Sequence, residues 1–136
     1  MQRPLSALIL ILAFALAACG PAPAGEASTG PAAYHTMDVQ ELHSQLASKD
    51  FIFVNVHIPF EGDIANTDLS IPFDEITQPQ NLKLLPADKD AKIVLYCRSG
   101  RMSAIAAREL AGLGYTNVWD VPGGFNEWKA AGFPLE

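Results

Sequence analysis

Two short apolar runs, each followed by a turn and a helical pattern, constrain the fold of this 136-residue chain most strongly. Residues 51–56 read Phe-Ile-Phe-Val-Asn-Val, and residues 93–96 read Ile-Val-Leu-Tyr. Such continuous apolar runs are typical of strands buried on both faces, as the strands of a parallel sheet are. Because strands alternate with helical patterns along the chain, we expect an α/β domain with a parallel sheet.

The other elements follow from apolar spacing and from glycine and proline breaks. Asp38 and Glu41 have the spacing of a capping box, which places a helix start at residue 38. Gly123 and Gly124 predict a tight turn. In chain order, the sequence predicts a helix over residues 38–48, a loop over 57–72, a short helix within 73–85 that Pro79 interrupts, a helix over 102–113, a strand over 117–121 and a helix over 125–131.

The N-terminal stretch has the pattern of a secretory signal. Arg3 precedes an apolar run over residues 5–18 that ends in small residues and is short for a membrane-spanning helix. A short transmembrane anchor is the alternative. The Leu-Ala-Ala-Cys sequence at residues 16–19 resembles the lipobox of bacterial lipoproteins. That resemblance implies cleavage before Cys19 and a lipid on its thiol.

Three segments are therefore expected: a lipoprotein signal peptide at residues 1–18, a flexible linker at 19–33 and a single domain at 34–136. The linker is rich in proline, alanine, glycine and serine, a composition that does not form a core. The lipid on Cys19 would hold the protein in the cell envelope, on the periplasmic side of a bacterial membrane. In a Gram-negative cell the outer membrane is favoured, because no aspartate follows Cys19 as a retention signal.

The charge balance excludes some partners. The chain carries 9 basic and 15 acidic residues, for a net charge of −6. An acidic protein is unsuited to binding nucleic acid or an anionic membrane surface. Contact with a membrane is therefore expected through the lipid alone.

The chain has two cysteines. With Cys19 lipidated, Cys97 is the only thiol left, so no disulfide can form within the chain. The three histidines, His35, His43 and His57, lack the usual spacing of metal ligands. Neither a metal nor another cofactor is expected.

Cys97 comes directly after the predicted strand at residues 93–96 and just before a helix. Ligands of open α/β sheets bind at the carboxyl ends of the strands. Backbone N–H groups of the loop, the helix N-terminus and the charges of Arg98 and Arg101 would favour an anion there, and Gly100 permits a tight turn. The same features favour the nucleophilic thiolate of Cys97. The alternative is a buried cysteine that only fills the core.

The segment from Tyr96 onward is similar to the C-terminal half of a rhodanese-like domain. The matching features are Cys97 with the Arg-Ser-Gly-Arg sequence after it, the glycines that end the next helix, and Gly123, Gly124, Trp128, Gly132 and Pro134. The resemblance extends over about residues 34–136 and is weaker in the first half. It implies a three-layer fold with a five-stranded parallel sheet and helices on both faces.

The resemblance also implies a sulfurtransferase site. Cys97 would be the catalytic residue, carrying sulfur as a persulfide from an anionic donor such as thiosulfate to cyanide or another thiol. The substrate-binding residues would be Arg98, Ser99, Gly100, Arg101, Met102 and Ser103. Six residues, 97–102, precede the predicted helix start at Ser103, as in sulfur-transferring members; phosphatase relatives have one residue more.

Two family motifs are altered in this chain. The common Asp-x-Arg becomes Asn55-Val56-His57, and a common Gly-His-Ile-x-Gly-Ala segment becomes Gly-Asp-Ile-Ala-Asn-Thr over residues 62–67. Asn55 and His57 are possible auxiliary residues, because Asn55 can form hydrogen bonds and His57 can carry charge in mildly acidic solution. A solvated loop histidine is the alternative for His57.

Three functions remain open from the sequence. The leading hypothesis is a lipid-anchored sulfurtransferase. The altered motifs favour a second hypothesis, a non-catalytic binding module of the cell envelope. A cysteine-based phosphatase or arsenate reductase is the third, and the length of the loop disfavours it. Glu61 and Asp63 are expected to form a solvated loop face.

Overall fold

The domain is built on five short strands, all parallel. The computed structural model describes residues 33–135. The strands are β1 (His35–Thr36), β2 (Ile52–Asn55), β3 (Leu69–Ser70), β4 (Ile93–Tyr96) and β5 (Val118–Asp120). They lie in the order β1-β5-β4-β2-β3, which places β4 in the middle. The five-stranded parallel sheet that the family resemblance implies is confirmed.

Four helices cover the two faces of the sheet: α1 (Val39–Leu46), α2 (Pro79–Leu82), α3 (Arg101–Gly112) and α4 (Gly124–Ala130). One hydrophobic core lies under α3, and a second lies under α1 and α4. The predicted α/β fold with helices on both faces is therefore confirmed.

Alternation along the strands assigns each side chain to one of these cores. Val94 and Tyr96 of β4 face α1 and α4, whereas Ile93 and Leu95 face α3. Cys97 continues this alternation and belongs to the core under α3. The alternation of side chains along β4 therefore places the Cys97 thiol beside α3.

Element boundaries differ from prediction where glycine or proline controls the chain. Pro79 is the first residue of α2 rather than an interruption, because its missing N–H is not needed in the first turn. Helix α3 begins at Arg101, because Gly100 turns the chain with a φ of +88°. This start is one residue before the predicted helix over 102–113 and two residues before the start at Ser103 that was used to count the loop. Strands β1 and β3 have two residues each and were not predicted. The predicted loop at residues 57–72 contains β3.

The N-terminal predictions lie outside the described residues. They concern the signal peptide at 1–18, Cys19 and nearly all of the linker at 19–33. Within residues 33–135, no helix has both the length and the apolar character needed to cross a membrane. In the same range, no group of three or more histidine, cysteine, aspartate and glutamate side chains is placed to hold a metal ion.

Candidate active site

Cys97 lies at the carboxyl edge of the sheet, immediately after the middle strand β4. The neighbouring strands end beside it, β2 at Asn55 and β5 at Asp120. Ligands of open α/β sheets bind at this edge. Cys97 is 1% exposed and is not part of a disulfide. The loop that follows therefore encloses the thiol.

Two hydrogen-bond donors contact the Cys97 sulfur. The backbone N–H of Gly100 donates to Sγ over 3.1 Å, and the Ser103 hydroxyl donates over 3.5 Å. Both belong to the start of α3, a 12-residue helix without a side-chain cap at its N-terminus. The helix N-terminus adds partial positive charge at the same point. The arrangement is suited to stabilising negative charge on sulfur.

The other predicted substrate-binding residues surround the sulfur less directly. Ser99 is exposed, and Met102 packs against the core under α3. The sequence predicts several loop amides converging on one point. Among the hydrogen bonds of residues 33–135, one loop amide donates to the thiol sulfur, and it belongs to Gly100.

A glycine pair at the start of α4 holds the Cys97 loop in place. The Phe125 N–H donates to the Cys97 carbonyl over 3.0 Å, and the Asn126 N–H donates to the Arg98 carbonyl over 3.1 Å. A Cβ on Gly124 would lie 1.8 Å from the Cys97 carbonyl oxygen. A Cβ on Gly100 would lie 3.0 Å from the backbone nitrogen of Gly123. Only glycine at residue 124 allows the two segments to approach this closely.

The two arginines of the loop have different surroundings. Arg98 Nη1 lies 3.2 Å from Glu61 Oε1, so a nearby carboxylate offsets its charge. Arg101 is exposed, and its guanidinium lies 5.8 Å from the ring centre of Phe73. Within residues 33–135, Arg101 forms no ion pair. Arg101 is therefore the loop cation that is available to an anionic ligand.

His57 lies beside the same carboxylate. Its Nε2 is 3.2 Å from Glu61 Oε2, which is within ion-pair distance but outside hydrogen-bond geometry, and neither ring nitrogen makes a hydrogen bond. The ring is buried and stands edge-on to Phe125 at 6.2 Å. Glu61 is exposed, as expected for a solvated loop face, and its carboxylate also lies between His57 and Arg98.

Asn55 is buried and joins β2 to the following loop. Its Nδ2 donates to Asp63 Oδ1 over 2.9 Å and to the Gly62 carbonyl over 3.0 Å, and its Oδ1 accepts from the His57 N–H. Asp63 Oδ1 also accepts from Tyr96, whose hydroxyl donates over 3.2 Å. Asp63 is thus part of a hydrogen-bond network and not of a solvated face.

This network joins the two altered motifs through one hydrogen bond, from Asn55 to Asp63. The family pattern has aspartate where this chain has Asn55 and histidine where it has Asp63. In this chain the Asn55 amide donates a hydrogen bond to the Asp63 carboxylate. With aspartate and histidine at the same two positions, the histidine ring could donate and the aspartate could accept. Burial raises the pKa of Tyr96, so its hydroxyl stays protonated as a donor. The two departures therefore compensate for each other.

We expect Asn55→Asp to destabilise the protein by about 2–3 kcal/mol at pH 7, because it would place a second buried carboxylate against Asp63. The loss should shrink near pH 4, where carboxyls become protonated. Urea unfolding at both pH values measures it. Asn55→Asp combined with Asp63→His should recover most of the stability. If Asn55→Asp alone is as stable as wild type at pH 7, this account is contradicted.

Asp120 was not identified from the sequence. It ends β5 and is 3% exposed, and its Oδ1 has no hydrogen-bond partner. Burial raises the pKa of the Asp120 carboxyl, and the nearby Ser103 hydroxyl and Val121 N–H offset part of the rise. The available signal was alternation: Asp120 lies two residues after buried Val118 and therefore faces α3.

Known proteins resemble this chain both in sequence and in fold. A sequence model of the rhodanese-like domain family matches residues 38–131. A rhodanese-related protein from Thermoplasma volcanium is 32% identical with a TM-score of 0.64, over 76% of this chain and 98% of that one. A human single-domain sulfurtransferase is 27% identical with a TM-score of 0.59, over 70% of this chain and 95% of that one.

Longer proteins also contain a similar segment. The tRNA uridine(34) hydroxylase of Erwinia tasmaniensis is 32% identical over 92 residues, which are 65% of this chain and 26% of the hydroxylase. The corresponding Escherichia coli enzyme is 27% identical over 96 residues. The chain thus spans about a quarter of the length of these curated relatives.

Proposed function

Because the chain belongs to the rhodanese-like domain family, we propose that it is a sulfurtransferase that carries sulfane sulfur on Cys97. The Cys97 thiolate attacks the outer sulfur of thiosulfate, a Cys97 S–S bond forms, and the S–S bond of thiosulfate breaks to release sulfite. Cyanide or another thiophilic acceptor then attacks the terminal sulfur. The persulfide bond breaks, the acceptor leaves with the sulfur, and the thiolate returns.

The observation that supports this proposal best is the set of donors at the sulfur. The Gly100 N–H and the Ser103 hydroxyl both donate to Cys97 Sγ at the uncapped N-terminus of α3. The Gly100 N–H is held by the backbone before any charge develops, which is the principle of an oxyanion hole. A thiolate and a persulfide anion would both be stabilised there.

The proposal is tested by the intact mass of the full-length chain carrying Cys19→Ser, in which Cys97 is the only thiol. Thiosulfate should add one sulfur atom to the reduced protein, and cyanide should remove it. If no donor of sulfane sulfur adds a cyanide-removable atom, the sulfurtransferase function is wrong. Replacing thiosulfate by p-nitrophenyl phosphate and measuring nitrophenol release tests the phosphatase hypothesis.

A second candidate is a non-catalytic module that binds a partner or a sulfur species in the cell envelope. The burial of Cys97, at 1% exposed, favours it, because a donor must reach an enclosed sulfur. The mass experiment separates the two functions. If the protein is such a module, its intact mass should stay that of the reduced protein after treatment with any sulfur donor.

Arg101→Ala is expected to lower kcat/KM for thiosulfate by about fivefold, because an exposed and solvent-screened charge contributes about 1 kcal/mol or less. Stability should stay unchanged, since Arg101 makes no ion pair within residues 33–135. Arg108→Ala, at an exposed position on the same helix, is the matched control. Equal values of kcat/KM in the two variants would remove Arg101 from the donor site.

We also propose that a lipid on Cys19 holds the protein to a membrane on the periplasmic side of a bacterial cell. The support is the Leu-Ala-Ala-Cys sequence at residues 16–19 and the proline- and alanine-rich segment that follows. Several acyl chains anchor a protein stably, whereas one chain binds marginally.

Cys19→Ser is expected to abolish labelling by a palmitate analogue when the chain is expressed in a Gram-negative host. The variant should also leave the membrane fraction in which wild type is found. Cys97→Ser is the matched control and should be labelled normally. A Cys19→Ser chain that is labelled and fractionates like wild type would overturn the anchor.

A further inference from the structure

Two exposed segments border the candidate site at the carboxyl edge of the sheet. One is residues 59–61 of the loop after β2, and the other is residues 98–99, directly after Cys97. The segments leave the sheet side by side, because Asn55 at the end of β2 pairs with Tyr96 at the end of β4. The Cys97 side chain is buried, so a sulfur donor that approaches this edge meets these exposed side chains before it meets the sulfur.

Glu61 connects the two segments. Arg98 Nη1 donates a hydrogen bond to Glu61 Oε1 over 3.2 Å, and Glu61 Oε2 lies 3.2 Å from Nε2 of the buried His57 ring. Each carboxylate oxygen therefore has its own neighbour. The side chains of Glu61 and Arg98 remain 39% and 55% exposed, so the charges of both act on ions in the solvent beside the site.

The backbone next to Glu61 is anchored to the sheet. Asn55 Nδ2 donates to the Gly62 carbonyl over 3.0 Å, and the Ile64 N–H donates to the Tyr96 hydroxyl over 3.0 Å. An exposed ion pair contributes little to holding its own partners together. The place of the Glu61 carboxylate beside Arg98 is therefore set by buried groups at the ends of β2 and β4.

This carboxylate changes the charge that a donor meets. Glu61 offsets the charge of Arg98, whereas Arg101 forms no ion pair within residues 33–135. The electrostatic energy between a fixed charge and a donor is proportional to the charge of the donor. The Glu61 carboxylate therefore disfavours a dianion more than a monoanion and does not act on a neutral molecule.

We propose that Glu61 is a specificity-determining residue, which neutralises Arg98 and directs the site towards sulfur donors with at most one negative charge; the inference rests on the proposed sulfurtransferase function. The substrate class is then an organic sulfane-sulfur compound such as a thiosulfonate anion, rather than the dianion thiosulfate. The Cys97 thiolate attacks the outer sulfur of the thiosulfonate, the new S–S bond forms, and the S–S bond of the donor breaks to release a sulfinate.

Alkylation of Cys97 tests this charge selection without sulfur transfer. The full-length Cys19→Ser chain, in which Cys97 is the only thiol, reacts with iodoacetate, a monoanion, or with neutral iodoacetamide. Both reagents form an S–C bond and release iodide, and the ratio of the two rates cancels any change in the reactivity of the sulfur itself. Glu61→Gln should raise the iodoacetate-to-iodoacetamide ratio about twofold at low salt. At about 1 M salt the gain should disappear, because the charges are screened.

Variants of the partner and of a distant carboxylate serve as controls. Arg98→Ala should lower the ratio about twofold, and the double variant, which removes both charges of the pair, should return to the wild-type ratio. Glu109→Gln removes the same charge from an exposed position on α3 and should change nothing. If Glu61→Gln leaves the ratio unchanged, or if the double variant keeps the full gain, the proposal is wrong.

Sulfur transfer to cyanide gives the second measurement. Glu61→Gln should raise kcat/KM about fivefold for thiosulfate but only about twofold for methanethiosulfonate, because the second donor carries half the charge. An equal gain with both donors would overturn the selection by charge. The alkylation ratio does not depend on sulfur transfer, so its failure would leave the sulfurtransferase proposal standing. The absence of cyanide-removable sulfur would end that proposal, and the alkylation ratio would still decide whether Glu61 selects by charge.

Discussion

Gly124→Ala is expected to destabilise the protein by about 2–5 kcal/mol and to move the Cys97 loop away from α4. Residue 124 has a φ of +45°, and an added Cβ would stand 1.8 Å from the Cys97 carbonyl oxygen. The Cys97 oxygen belongs to the backbone, and the position of a Cβ is fixed by the backbone of residue 124, so no side-chain rotation can make room. The hydrogen bond from the Phe125 N–H to that carbonyl should be lost as the segments separate. Urea unfolding followed by circular dichroism measures the change in free energy.

Variants at two other glycines show whether this loss of stability comes from the close contact or from the backbone conformation. Gly132 has a φ of +80° but nothing within 4 Å of an added Cβ, so Gly132→Ala should show only the cost of the backbone conformation, about 1–2 kcal/mol. Gly112 lies in α3 with open space around it, so Gly112→Ala should be neutral or slightly stabilising. If Gly124→Ala costs no more than Gly132→Ala, the close approach to Cys97 is not what requires glycine.

Cys97→Ser is expected to reduce thiocyanate formation from thiosulfate and cyanide to the uncatalysed level. The serine hydroxyl stays protonated near neutral pH and cannot hold a sulfane sulfur that cyanide removes. The fold should be kept, since the substitution changes one atom and the Gly100 N–H can donate to oxygen as well as to sulfur. Colorimetric thiocyanate detection measures the loss, and Cys19→Ser serves as the control with full activity. Thiocyanate production by Cys97→Ser above the uncatalysed level would assign the chemistry to another residue.

The central part of the fold could be predicted because its signal is local. Strands β2 and β4 are apolar on both faces, and α3 has a clear apolar spacing, so each is recognisable within its own few residues. Strands β1 and β3 contain two residues each and are defined by their neighbours in the sheet, so no periodicity could reveal them. Pro79 was misplaced because a proline suits the first turn of a helix as well as a break.

The candidate site also has a part that the sequence predicts and a part that it does not. The sequence places Cys97, Gly100 and Ser103 within seven consecutive residues, and the structure brings these three together around Sγ. Asp120 is 17 positions beyond Ser103, and Asp63 is 33 positions before Tyr96, so their roles depend on the assembled sheet. Contacts between distant segments leave no pattern in a single sequence. The compensation between Asn55 and Asp63 could not be seen until their distance was known.

The parallel arrangement of the strands also separates the start of the sheet from the candidate site. Every strand runs towards the edge that carries Cys97, and β1, the first of them, begins at His35. The chain therefore enters β1 from the amino side and runs towards the thiol edge. The start of β1 and the Cys97 sulfur therefore lie at opposite edges of the sheet, so the segment that precedes β1 joins the domain on the side away from the thiol.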